Sequence, residues 1–228
     1  MLPDDVLLAL FDCYVKGNID DDDDDDENVF DKDQAWRSLV HVCRRWRCIV
    51  FGSPRHLNLQ LVCTERTRER DMLDVWPALP LAIWCYDNNP IGSVDNIIAM
   101  LEHRDRVCQI DLAFFQSPDL EFILAAMQQP FPELTRLLLH PAVKMGAPVT
   151  PDSFLGGSAP RLRYLNLRGV PFPGLPKLLL SATHLVTLRL FDIPHSGYIS
   201  PDALVSALSA STSLSSFSLG FQSSSILP

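Results

Sequence analysis

Five stretches in the second half of the chain share one pattern, apolar-x-x-apolar-x-apolar. They are VCQIDL from Val107, LTRLLL from Leu134, LRYLNL from Leu162, LVTLRL from Leu185 and LSSFSL from Leu214. Their starts lie 27, 28, 23 and 29 residues apart. A unit of that length cannot bury an apolar face alone. The pattern therefore commits the chain to stacking its units side by side, each supplying a short strand and a return segment.

The segments between the stretches agree with that reading. Ser117-Pro118-Asp119, Thr150-Pro151-Asp152 and Ser200-Pro201-Asp202 each offer a helix cap, a first-turn proline and an acid at the positive helix end. Leu120, Ile123 and Leu124 follow the first, and Leu204, Val205 and Leu208 follow the third, at helical spacing. Upstream, HLNLQL (56–61) and LPLAIW (79–84) alternate like strands, and helical stretches follow over Thr64–Trp76 and Ser93–His103.

The period and apolar core resemble those of the leucine-rich-repeat family, which implies a parallel sheet with one side of each strand buried. The ninth motif position departs from the family's Asn or Cys. Here it holds Phe115, Ala142, Val170, Ile193 and Gln222. Without that hydrogen-bonding ladder, and with unequal periods, the stack is expected to be irregular. Between the core positions, Gln109 and Asp111, Arg136 and Leu138, Tyr164 and Asn166, Thr187 and Arg189, and Ser216 and Ser218 are expected to line the concave face. Arg and Tyr commonly anchor interfaces, so Arg136, Tyr164, Asn166 and Arg189 are the candidate target-binding residues. The last strand is followed by no polar capping unit, so either the chain is incomplete at its C-terminus, the preferred expectation, or a partner covers that end.

The first 54 residues read differently. Leu2 to Val15 is expected to be a helix, with Pro3 and two aspartates in the first turn and Gly17-Asn18 as its stop. Asp20 to Glu27 is a run of eight carboxylates that repel one another and bury nothing, hence a solvated, disordered loop. It lacks the glycine turn and spaced ligands of a calcium loop. Beyond it, AWRSLVHVCRRWRCIVFGSP (35–54) can be set on one helical wheel. Trp36, Leu39, Val40, Val42, Cys43, Trp46, Ile49 and Val50 fall on one half. Arg37, His41, Arg44 and Arg45 fall on the other, with Arg47 out of place in the apolar arc. So broad a face in so small a region implies a partner.

LPDDVLLALF followed by WRSLVHVCRRWRCIVFGSP resembles an F-box, with the acidic stretch 18–33 inserted between its first two helices. The Leu-Pro start, the aliphatic spacing after it and the VCRRW segment carry the likeness. F-box modules dock onto the small adaptor subunit of cullin–RING ubiquitin ligases. The resemblance therefore implies an adaptor-binding set of Leu2, Pro3, Val6, Leu7, Leu10, Phe11, Leu39, Val42, Cys43 and Trp46.

Charge narrows the alternatives. Residues 1–35 hold thirteen acids and two bases, and residues 36–70 hold eight bases and two acids, within a net charge of −9. An acidic chain with a carboxylate run beside its only basic stretch does not suit nucleic acid. The six cysteines form no C-x-x-C pair, the N-terminus has no basic signal region, and no apolar run approaches the length of a membrane span. A reducing compartment, cytosol or nucleus, is expected. No nucleophile elbow, zinc motif or phosphate loop is present, and the six histidines, His140 on a strand end among them, lack ligand spacing. No enzyme and no cofactor is expected.

The expected architecture is α/β: a small all-helical F-box-like module over 1–54, then an irregular leucine-rich-repeat solenoid over 55–228. The expected role is a ligase substrate receptor that bridges the adaptor subunit and an unidentified target protein. The alternative is a leucine-rich scaffold whose N-terminal helices cap the first repeat.

Overall fold

The computed structural model describes residues 2–17, 35–64, 73–86, 93–142 and 148–222. The acidic run Asp20–Glu27 lies outside the described residues, as does most of the helix expected over Thr64–Trp76. The described part holds seven α-helices: α1 (Asp4–Gly17), α2 (Trp36–Val40), α3 (Arg44–Gly52), α4 (Ser93–Leu101), α5 (Ser117–Ala126), α6 (Leu175–Ser181) and α7 (Pro201–Ser209). Seven strands form one sheet in sequential order: β1 (Leu61–Thr64), β2 (Leu81–Cys85), β3 (Val107–Ala113), β4 (Arg136–His140), β5 (Tyr164–Arg168), β6 (Thr187–Ile193) and β7 (Ser216–Phe221). The chain divides into two compact units. The first takes Met1–Val62 and Arg70–Leu81, and the second takes Cys63–Glu69 and Ala82–Pro228. The first is thus larger than the 54-residue module read from the sequence.

In the second unit each repeat stretch supplies one strand, and β3 to β7 pair in parallel. Register follows the motif residue by residue. Gln109, Arg136, Tyr164, Thr187 and Ser216 stand opposite one another, as do Ile110, Leu137, Leu165, Leu188 and Phe217. The leucines at the fourth and sixth motif positions are buried in β4, β5 and β6, whereas in the return helix α7 only Ala207 is buried and Val205 is exposed. Burying one such side chain stabilises by roughly 1.5–3 kcal/mol, so the repeated leucine holds the strands in step. In β7 the equivalent Phe217 and Leu219 are exposed.

The returns are irregular, and for a visible reason. The ninth-position side chains Phe115, Val170 and Ile193 are packed inward instead of bonding the turns. Backbone groups take over: Ala142 N–H donates to the Phe115 carbonyl at 2.9 Å and Gln222 N–H to the Ile193 carbonyl at 3.0 Å. Of the three expected helix starts, Ser200 caps α7 by accepting from Ala203 N–H at 3.3 Å. At α5 the capping position falls one residue early, on Gln116. The Thr150-Pro151-Asp152 start does not yield an α-helix. A 3-10 turn over Phe154–Gly157 follows, with Leu155 and Gly156 in the left-handed region. The HLNLQL strand is also misplaced. Leu57 and Leu59 are buried, but on turns around a left-handed Asn58, and the strand begins only at Leu61.

In the first unit α1 packs against α2 and α3, with the Phe11 and Trp46 rings 4.7 Å apart. The single wheel over 36–50 does not hold. Cys43 is extended and separates α2 from α3. Arg47, the residue out of place on the wheel, accounts for the break. Its Nε donates to the Val40 carbonyl at 3.0 Å, satisfying the end of α2 in place of a helical N–H. Among the described residues no helix is long and apolar enough to cross a membrane.

Candidate functional site

Each unit presents one surface that its own core does not use. In the first unit the wheel's apolar arc is covered in part. Trp36, Leu39, Val40 and Val50 are all buried. Trp36 sits 5.2 Å from Trp76 and 6.0 Å from Phe51, both edge-on, and its Nε1 donates to the Gln60 carbonyl at 3.3 Å. Arg37 lies over the Trp76 ring at 5.2 Å. The unit itself covers those four side chains, whereas Val42 and Cys43 of the same arc stay exposed.

What stays uncovered is the outer side of α1. Residues spaced by four lie one above another on a helix. Leu2, Val6, Leu10 and Tyr14 follow that spacing and are 51, 40, 53 and 45% exposed. Leu7 and Phe11, on the inner side, are 5 and 2% exposed. The ten adaptor-binding candidates therefore separate. Leu2, Pro3, Val6, Leu10, Val42 and Cys43 are exposed, Leu7, Phe11 and Leu39 are buried, and Trp46 is half-buried against Phe11. Arg45 ties the start of α3 to the start of α1. Its Nε donates to Asp4 Oδ1 at 3.0 Å and its Nη2 to the Leu2 carbonyl at 2.5 Å. Tyr14 completes the stripe and was legible as the fourth member of the 2-6-10-14 series.

In the second unit the residues between the leucines form two rows on the sheet's other face. Strands lie about 4.8 Å apart, so side chains on neighbouring rungs touch. Arg136 and Tyr164 are direct rung partners, and the guanidinium lies 4.2 Å from the ring centroid. Arg189 reaches the same ring diagonally at 5.9 Å. Asn166 Nδ2 donates to the Tyr164 hydroxyl at 3.3 Å. All four target-binding candidates thus belong to one cluster.

Sequence reasoning placed Asp111 on this face but missed its role. Arg136 Nε donates to Asp111 Oδ2 at 2.7 Å, and the Tyr86 hydroxyl lies 3.5 Å from the same oxygen. Asp111 is only 2% exposed, and its Oδ1 has no hydrogen-bond partner among the described residues. Burial pushes the Asp111 carboxyl up from its ordinary range, against the pull of Arg136. Burial works against the charge on Arg136 too, but the Asp111 carboxylate outweighs it and holds the guanidinium charged. The pair is legible only once the repeats are aligned, because Asp111 lies diagonally across from Arg136.

Among the described residues no group of three or more His, Cys, Asp or Glu side chains could hold a metal ion. Set beside protein families, curated proteins and solved structures, the chain matches none of them.

Proposed function

We propose that the chain is a substrate receptor of a cullin–RING ubiquitin ligase, built from an F-box-like helical unit and an irregular leucine-rich-repeat sheet. The outer side of α1, with Val42 and Cys43, docks the ligase adaptor. The Arg136–Tyr164–Arg189 face holds a target protein. The chain supplies no reacting group, and its effect is to keep the target close to the site of ubiquitin transfer. None of its six cysteines forms a disulfide among the described residues, in keeping with work in the cytosol or nucleus.

The observation that carries this reading is the two-sided apolar character of α1. A helix that buries Leu7, Phe11 and Val15 in its own unit has no folding reason to line its outer side with Val6 and Leu10. A docking surface does have such a reason.

The test is calorimetry of the purified chain with the ligase adaptor subunit, beside a Val6→Ala/Leu10→Ala variant. Both side chains are exposed, so the variant keeps its fold. Truncating buried interface anchors costs about 2 kcal/mol or more, roughly a 30-fold loss of affinity. Trp46 is a poor probe, because its stacking on Phe11 makes its loss a folding defect. Absence of binding by the folded wild-type chain would leave the second reading, a scaffold whose helices are a cap. The burial of Trp36, Leu39 and Val40 within the first unit is what favours that reading.

A further inference from the structure

The cluster at Tyr164 is built almost entirely of hydrogen-bond donors. Arg136 is held on two sides, by Asp111 at its Nε and by the Tyr164 ring against its plane. No other hydrogen bond among the described residues uses its two Nη groups. Arg189 is exposed and makes no hydrogen bond or ion pair among the described residues. Elsewhere in the same unit arginines do find carboxylates: Arg161 pairs with Glu133, and Arg168 with Asp192 at 2.9 Å. The Tyr164 hydroxyl accepts from Asn166 and so keeps its own proton to donate. Two guanidinium groups lie 4.2 and 5.9 Å from one phenol ring, beside a carboxylate that orients one of them.

We infer that this cluster is a receptor for an oxyanion on a peptide, a side-chain carboxylate or a phosphoryl group. The proposal rests on the reading of this face as the target face and names what the target presents. Planar forks match the geometry of carboxylate and phosphate oxygens, and charged donors make the stronger hydrogen bonds. Arg136 is fixed before any ligand arrives, so much of the ordering cost that weakens a flexible arginine is already met. Counting Arg136, Arg189 and Asp111, the site carries one net positive charge within a chain of −9. That suits a single anionic group on a peptide, whereas a nucleic-acid strand would meet repulsion from the rest of the chain.

The experiment is an NMR titration of the full chain with four probes: a glycine–serine peptide, the same peptide with a glutamate pair, the same with one phosphoserine, and an oligothymidylate. Amide shifts on β4 to β6 from one or both anionic peptides, and none from the neutral peptide, are the expected result. The two anionic arms tell the carboxylate from the phosphoryl source. Arg189→Gln is expected to weaken that binding about tenfold, the worth of one charged hydrogen bond. Arg136→Gln strands Asp111, so Asp111→Asn/Arg136→Gln serves beside it, and Arg161→Gln is the remote control. Equal binding by wild type and the Arg189→Gln and double variants would overturn the proposal, as would preference for the oligothymidylate. A silent titration would overturn it too. In that case Tyr164→Ala decides whether the face reading survives: if proteins that co-purify with the wild-type chain are lost in this variant, the face stands and only the anion is wrong.

Discussion

Asp111 is the residue whose placement has the most measurable consequence. A carboxyl whose pKa is raised on folding binds its proton more tightly in the folded chain than in the unfolded one. Its contribution to stability is therefore full at acidic pH, below the ordinary aspartate range, and is lost as pH rises through the raised value. Asp111→Asn removes that dependence. The melting temperature of the wild type minus that of Asp111→Asn should fall steadily from acidic toward neutral pH. A difference that stays flat or rises would show that Arg136 outweighs the cost of burial. None of this was legible along the chain. Asp111 and Arg136 are 25 residues apart, and only the pairing of β3 with β4 brings them together. By contrast, Arg136, Tyr164, Asn166 and Arg189 could be named from sequence, because alternation along a strand assigns a face without knowledge of what lies opposite.

At the scale of the element, α1 has one buried and one exposed apolar side. Phe11→Ala removes a buried ring from the contact with Trp46 and should destabilise the first unit by about 3–5 kcal/mol. Leu10→Ala, one residue away on the outer side, should stay within about 0.5 kcal/mol of wild type. Urea unfolding of the two variants followed by tryptophan fluorescence measures both, and a large loss in Leu10→Ala would mean that the stripe serves the fold. The existence and span of α1 were readable from proline, acids and apolar spacing. The division between α2 and α3 was not, because no glycine or proline marks residues 41–43 and the apolar arc runs on through them. The break is made by a side chain seven positions away in α3, Arg47, reaching back to Val40. Local propensity does not encode a bond of that kind. The Thr150-Pro151-Asp152 segment shows the converse: a complete helix-start signal that tertiary packing turned into a 3-10 turn, with Gly156 pressed close against Pro130.

Across the second unit each strand contacts its neighbours in sequence order, so stability is expected to be local and graded instead of all-or-none. Amide hydrogen exchange should be slowest in β4 and β5, whose leucines are buried, and fastest in β7, where Phe217, Leu219 and Phe221 are exposed. Uniform protection across β3 to β7 would count against a stacked, nearest-neighbour unit. This whole-unit arrangement was the most legible feature of all, since a pattern repeated five times in register carries more information than any single element. The two-unit boundary was less so. The burial of Trp36 against Trp76 draws Arg70–Leu81 into the first unit, and no composition shift announces it.

The in-register rows carry one more consequence. Each rung gives its fourth and sixth motif positions to one side of the sheet and the positions between them to the other, so the two sets can vary independently. Sequence drift at Gln109, Thr187 or Ser218 would change the chemistry of that face while leaving the leucines beneath it in place. The same separation makes those rungs a natural alphabet for a combinatorial library, in which new specificities could be selected without first rescuing the fold.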